Sequence, residues 1–331
     1  MTRFLQRRTF LRASLGAALL GVQGWPHVAR AQAWPDRPIR LVVAFPAGGI
    51  TDVFARAYGD AVAQALGQPV VVENKAGAGG LIGGEFVAKA PPDGYTLLFT
   101  IQASLLQSQA LYKKLPYDPG RDFTFISAFG NGHLPFAVPK DLKVRNFDEF
   151  VALARRDTVN VGSFAPGSYA HLVINQLNKL YGTRIEAVHF KGEAPMWPEV
   201  VAGRLHGAIG SYGGVNPHVQ SGAVRVIAVP TMTRSPKLPD VPTYAEQGYK
   251  EPIFVMRGWL GLLGPAGMPA PIVERLSKHI LEAYDTPRVK QLHDTFGIPD
   301  RPTTPAEFER LFRVDGPVWI AMARELGLSL D

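Results

Sequence analysis

The strand-to-helix loops of this 331-residue chain carry the residues whose types and spacing suit the holding of an anion. The first loop, Phe45-Pro46-Ala47-Gly48-Gly49-Ile50-Thr51-Asp52, separates an apolar run from an amphipathic stretch of helix length. Small residues at Ala47, Gly48 and Gly49 let a ligand reach the backbone. The helix start then aims free N–H groups and the positive end of its dipole at that ligand. Thr51 and Asp52 can hydrogen-bond a ligand, or simply cap the helix, which is the commoner use of such residues. The second loop, Gly162-Ser163-Phe164-Ala165-Pro166-Gly167-Ser168, has the same construction and leads into a helix carrying His171. Ser168 is placed as its N-cap. His171 falls in the first turn, where the dipole disfavours imidazolium, so a neutral ring packed on the loop competes evenly with a ligand contact. In the third loop, His189 to Pro195, Lys191 offers a cation, although a solvated lysine beside a turn is the plainer role.

Other chemistries leave no motif. Ile209-Gly210-Ser211-Tyr212-Gly213 misses the nucleophile elbow because Ile209 stands at its first glycine. Gly77-Ala78-Gly79-Gly80-Leu81-Ile82-Gly83 misses the dinucleotide fingerprint because Ile82 stands at its third glycine. No zinc-protease pair and no phosphate-binding Walker loop occur, the 8 histidines are scattered, and there is no cysteine. A hydrolase triad formed only by folding is a question of geometry.

The elements that must position these loops alternate. Strand-like runs at Ile39–Phe45, Val70–Glu73, Tyr95–Thr100, Val159–Gly162, Glu186–His189 and Val224–Val229 interleave with helical stretches. The helical stretches are Thr51–Leu66, Leu81–Lys89, Tyr169–Leu180 and Ala194–Ala202. Such alternation predicts an α/β fold with parallel sheets flanked by helices. Pro271–Tyr284 and Pro305–Leu326 read as closing helices, each with proline in its first turn. Two long apolar stretches, Phe125–Val138 and Ile253–Leu263, read as strands that cross between two halves. The first domain is then discontinuous, 34–132 with 256–331, and 133–255 forms the second.

The first 33 residues read as an address. Arg7-Arg8 followed by Phe10-Leu11, an apolar run from Ala13 to Val22, and Ala31-Gln32-Ala33 make a twin-arginine type export signal, cleaved near Ala33. That run is shorter than the roughly 20 residues a membrane span needs. The segment holds Arg3, Arg7, Arg8, Arg12 and Arg30 and no acid, so without it the formal charge falls from +7 to +2. Nucleic-acid binding thereby loses its electrostatic support. The reading is a soluble periplasmic protein stabilised by its core rather than by disulfides.

Taken together these segments resemble the Bug (TctC-like) family of solute-binding proteins. The resemblance rests on Trp34-Pro35-Asp36-Arg37-Pro38-Ile39, the Phe45–Gly49 loop with Asp52, and Val72-Glu73-Asn74-Lys75 with Gly77–Gly80. It continues through Pro92–Leu98, Leu115-Pro116-Tyr117-Asp118, Gly167-Ser168 with His171-Leu172, Lys191-Gly192 with Pro195, and Trp259 to Ala270. It implies a periplasmic binding protein fold, in which two Rossmann-like domains close over a small carboxylate and two strands cross between them. It further implies a monomer without cofactor or metal that hands its ligand to the membrane subunits of a tripartite tricarboxylate transporter. One carboxylate would sit at Ala47, Gly48, Gly49 and Asp52, and the distal end at Ser163, Ala165, Gly167, Ser168 and His171. Thr51, Gln102, Pro166, Lys191 and Ser211 complete the expected ligand set. Ser211 stands where relatives often carry an acid to meet an amino group, which disfavours an amino-acid ligand. Trp197 is unusual and either rims the cleft or packs its helix. A sensor for a signalling partner would have the same ligand site.

Overall fold

The computed structural model describes residues 34–330, and the segment read as an export signal lies outside them. Apolar β-branched runs form the strands β1 (Ile39–Val43), β2 (Val70–Asn74), β3 (Thr96–Ile101), β4 (Phe123–Gly130), β5 (Phe136–Pro139), β6 (Val159–Ser163), β7 (Ile185–His189), β8 (Gly207–Ile209), β9 (Val224–Ala228) and β10 (Trp259–Pro265). They make two sheets of the same plan, β2-β1-β3-β10-β4 and β7-β6-β8-β5-β9. In the first, β1 runs parallel to β2 and β3, and β10 runs antiparallel to β3 and β4. In the second, β6 runs parallel to β7 and β8, and β5 runs antiparallel to β8 and β9. Each sheet therefore borrows its antiparallel strand from a part of the chain that has just left, or is about to rejoin, the other sheet. The fold is α/β, two sheets with helices on their faces.

The helices are α1 (Ile50–Leu66), α2 (Leu81–Ala88), the short α3 (Gln102–Leu105) and α4 (Ser108–Leu111), α5 (Phe147–Arg156), α6 (Tyr169–Tyr181), α7 (Met196–Val201), α8 (Tyr212–Gln220), α9 (Pro252–Val255), α10 (Ala270–Ala283), α11 (Pro287–Phe296) and α12 (Pro305–Arg324). Among the described residues none is long and apolar enough to cross a membrane. Parallel strands covered on both faces need apolar side chains on both, and Val42, Val43, Ala44 and Val161 are fully buried. Thr304 and Glu307 close a capping box that starts α12 where the proline signal placed it.

The structure departs from the sequence reading at both crossings. Phe125–Val138 is two strands in two sheets, because Gly132 takes a left-handed φ of +69° and breaks the run between them. Ile253–Leu263 begins with a helical turn, since Pro252 opens α9, and only Trp259 onward is strand. The elements α5, α8, α11 and β8 were absent from that reading. Gly213, Gly214 and Pro217 inside α8 mask its helical pattern, and β8 is three residues long.

Candidate functional site

A cleft of about 670 Å³, counted out to its open mouth, lies between the two sheets. From the first sheet's side it is lined by the loop after β1, by Ile101, Gln102 and Ala103 after β3, and by Leu260 of β10. The crossing segment adds Asn131 and Leu134. The second sheet's side adds Phe164, Tyr169 and the run Lys191-Gly192-Glu193-Ala194. Phe45, Ile50, Ile101, Leu134, Phe164 and Leu260 make the walls apolar, with a few polar groups set among them. A neighbouring cavity of about 590 Å³ shares Gly49, Ile50, Glu193 and Ala194 with it and continues to Trp197, Ser211 and Phe296.

The first loop is held from behind. Asp52 is buried and does not line the cleft; its Oδ2 accepts from the Gly48 N–H at 3.0 Å and from Arg56 Nε at 3.1 Å. Its Oδ1 accepts from Arg56 Nη2 and Asn74 Nδ2, both at 2.9 Å. Asn74 Nδ2 also donates to the Phe45 carbonyl at 3.0 Å, which ties the other end of the loop to β2. Burial alone would raise the Asp52 pKa, but Arg56, the Gly48 amide and Asn74 outweigh it and hold the carboxyl below its ordinary value. Gly49 is the N-cap of α1 and no side chain caps that helix, so its positive end faces the cleft beside Ala47, Gly49 and Thr51. Gly48, with φ +87°, sits in the neighbouring cavity instead.

The second loop is arranged differently from the expectation of a helix start open to a ligand. Ser163 Oγ donates to the Ala165 carbonyl at 2.8 Å and lies 2.9 Å from Ser168 Oγ, so the two hydroxyls serve each other and the turn. The Gly167 N–H donates to His171 Nδ1 at 3.0 Å, and the His171 ring lies 4.5 Å from that of His189. Burial, helped by His189, lowers the His171 pKa to about 4, which keeps the ring neutral as that hydrogen bond requires. Ser163, Ala165, Pro166, Gly167, Ser168 and His171 do not line the cleft; their flanking neighbours Phe164 and Tyr169 do. Lys191 reaches the cleft at an exposed rim, and Gln102 lines it with Oε1 accepting from the Trp259 N–H at 3.0 Å.

Three lining residues with polar side chains escaped the sequence reading. Asn131 and Tyr169 are buried, and their Oδ1 and hydroxyl have no hydrogen-bond partner among the described residues. The third is Glu193, whose Oε2 accepts from the Ser211 N–H at 3.0 Å and from Ser211 Oγ at 2.6 Å. Ser211 thus serves that acid rather than facing the cleft lined by Lys191 and Gln102. Trp197 is buried under α7 and borders the neighbouring cavity. No local pattern marks Glu193 or Asn131, because their importance comes from where the second sheet and the crossing segment place them.

The chain is similar to known proteins in both sequence and fold. The model of the family described as tripartite tricarboxylate transporter family receptor matches residues 54–314. This chain belongs to that family. The protein BugT of Bordetella pertussis is 34% identical over 303 residues, covering 91% of this chain and 92% of that protein. Two solved structures are similar throughout. The R. palustris protein Rpa4515 with adipate has a TM-score of 0.84 at 29% identity, covering 89% of this chain and 99% of the other. MatC of Rhodopseudomonas palustris with bound malate has a TM-score of 0.78 at 30% identity, covering 87% and 99%. The family is one of periplasmic solute-binding receptors, and its two-domain binding-protein fold is the fold seen here.

Proposed function

We propose that this protein captures a small carboxylate in the cleft between its sheets and delivers it to a tripartite tricarboxylate-type transporter from the periplasm. The observation that carries the reading is the cleft itself. An uncapped helix start meets apolar walls, and a few polar groups wait inside. The α1 terminus favours a carboxylate through its dipole and exposed amides. Lys191 adds positive potential at the rim. Asn131 lines the cleft with an Oδ1 that has no hydrogen-bond partner among the described residues, and the apolar walls suit a short carbon chain or a ring. Adipate and malate, held by the two structural neighbours, are acids of this kind. The role is binding without turnover, in which the ligand favours the closed arrangement because only that form touches it from both sides. The 133–255 segment carries the second half of the cleft, and 34–132 with 256–331 the first.

A thermal-shift panel of aliphatic, hydroxy-, amino- and aromatic carboxylates tests this. A ligand at a hundredfold over its Kd adds about 2.7 kcal/mol, which raises Tm by several degrees in a chain of this size. At least one acid is expected to do so while its neutral amide does not. Silence across the panel, with no acid released on denaturing the purified protein, overturns the reading.

A further inference from the structure

Glu193 is nine-tenths buried, yet it lines both the main cleft and the cavity beside it. Only one of its oxygens is engaged. Oε2 accepts both hydrogen bonds from Ser211, whose Oγ also accepts from the Gly214 N–H at 3.2 Å to cap α8. Oε1 takes no hydrogen bond among the described residues, and no lysine or arginine pairs with the carboxyl. The acid is also locked in place. A Cβ on Gly214 would stand 2.8 Å from Glu193 Oε2, 3.0 Å from Trp197 Nε1 and 3.1 Å from Ser211 Oγ, so these polar atoms converge where only glycine fits. Trp197 Nε1 is itself buried and has no hydrogen-bond partner among the described residues. The carboxyl thus keeps one oxygen that takes no protein donor and stays open to the cavities its side chain lines, where a donor on a ligand can reach it.

We propose that Glu193 is the specificity-determining residue of the cleft, its Oε1 accepting a hydrogen bond from a hydroxyl or ammonium group carried by the ligand. The proposal rests on the carboxylate reading above and narrows it. The site selects hydroxy- or amino-carboxylates over the parent acids that lack the donor. Gly49 and Ile50 at the start of α1 border the same two cavities as Glu193, so the donor belongs near the ligand carboxylate rather than far from it. The acid that position 211 lacks is supplied from 193, with Ser211 as its support. The sequence argument against an amino-acid ligand therefore loses its ground. Burial raises the Glu193 pKa against the two Ser211 bonds, the direction expected of an acid whose own protein leaves it short of donors.

Calorimetry on the purified chain decides the matter, with succinate, malate and aspartate as one series and adipate, 2-hydroxyadipate and 2-aminoadipate as another. The native protein is expected to bind a donor-bearing acid about tenfold or more tighter than its parent, the range a hydrogen bond to a charged group supplies. Glu193→Ala should flatten that ratio while retaining the parent acid. Glu193→Gln keeps an acceptor oxygen, so it should lose the preference for ammonium more than the preference for hydroxyl. Ser211→Ala, which frees the carboxyl to move, should fall between, and melting curves confirm that each variant is folded. Parents bound as tightly as their donor-bearing analogues, or a ratio unchanged in Glu193→Ala, overturn the proposal alone. Silence from every acid in the native protein overturns the carboxylate reading and this proposal with it.

Discussion

At the scale of single residues, two buried carboxyls, one behind the first loop and one on the cleft wall, are pushed in opposite directions by their surroundings. Asp52 has a guanidinium, a backbone amide and a side-chain amide around it, and together they hold its pKa low. Glu193 has Ser211 and no cation, and burial raises it. Linkage then gives opposite signs. A depressed Asp52 contributes stability that is present above the ordinary carboxylate pKa and is lost as pH falls through its folded value. A raised Glu193 does the reverse, costing stability as pH climbs past the ordinary value, because the folded chain must ionise a group it would rather keep protonated. We expect Asp52→Asn to lose on the order of 1–3 kcal/mol at neutral pH, since it leaves buried partners unpaired. Glu193→Gln should be more stable than the native chain at the same pH, because it removes a charge that burial disfavours. Urea unfolding from pH 7 down to pH 3 should show both gaps narrowing as the native carboxyls protonate. A destabilising Glu193→Gln at neutral pH, or an Asp52→Asn with no effect, would contradict this account. A more stable Glu193→Gln, by contrast, marks position 193 as a site where function is held at the expense of stability.

At the scale of elements, the sequence disclosed what depends on local pattern and concealed what depends on partners. The β1 loop was legible because small residues between an apolar run and an amphipathic helix leave few alternatives, and α1 starts there. The loop after β6 has the same grammar, yet its hydroxyls and His171 turn toward each other and only Phe164 and Tyr169 reach the cleft. Which way a loop faces is set by tertiary packing, here by Leu111 of α4, which fills the space where a side chain at 167 would begin. Glu193 and Asn131 were illegible for the same reason, since one sits in an ordinary turn and the other at a crossing. The inward-facing loop makes its own prediction. His171 accepts from the Gly167 N–H only while its Nδ1 is unprotonated, and its pKa stands at about 4. Stability from this group is full above the ordinary histidine value and is lost as pH falls from there through the folded one. A drop from 6.5 to about 4 corresponds to roughly 3 kcal/mol. His171→Asn keeps an acceptor oxygen and removes the titration, so its stability should change less between pH 7 and pH 4 than that of the native chain. Identical slopes would mean that this histidine does not carry the acid sensitivity of α6.

At the scale of the whole molecule, the proposed function makes binding and closure one equilibrium, with the contacts between the halves setting where it rests. Gly167 belongs to the second sheet's side and Leu111 to a helix that follows β3 of the first. A Cβ at 167 would lie 2.0 Å from Leu111 Cδ1, and the φ of +71° there already favours glycine. Gly192, also on the second sheet's side, faces Pro46 of the first loop, where an added Cβ would stand at an ordinary contact distance of 3.7 Å. The tight contact is therefore the one at 167. A ligand that touches both halves stabilises only the arrangement in which these surfaces meet, and a wedge between them works against the ligand. Gly167→Val is expected to weaken carboxylate binding by about tenfold and to enlarge the radius of gyration in solution scattering. Two causes must be separated, because valine at positive φ also strains the loop. Adding Leu111→Ala makes room for the wedge and leaves the strain in place. Recovery of affinity and of the compact form in the double variant assigns the effect to closure, as a coupling energy between positions on opposite halves. If the double variant binds as weakly as Gly167→Val, the loss is local to the loop, and the 167–111 contact has no part in holding the two halves shut.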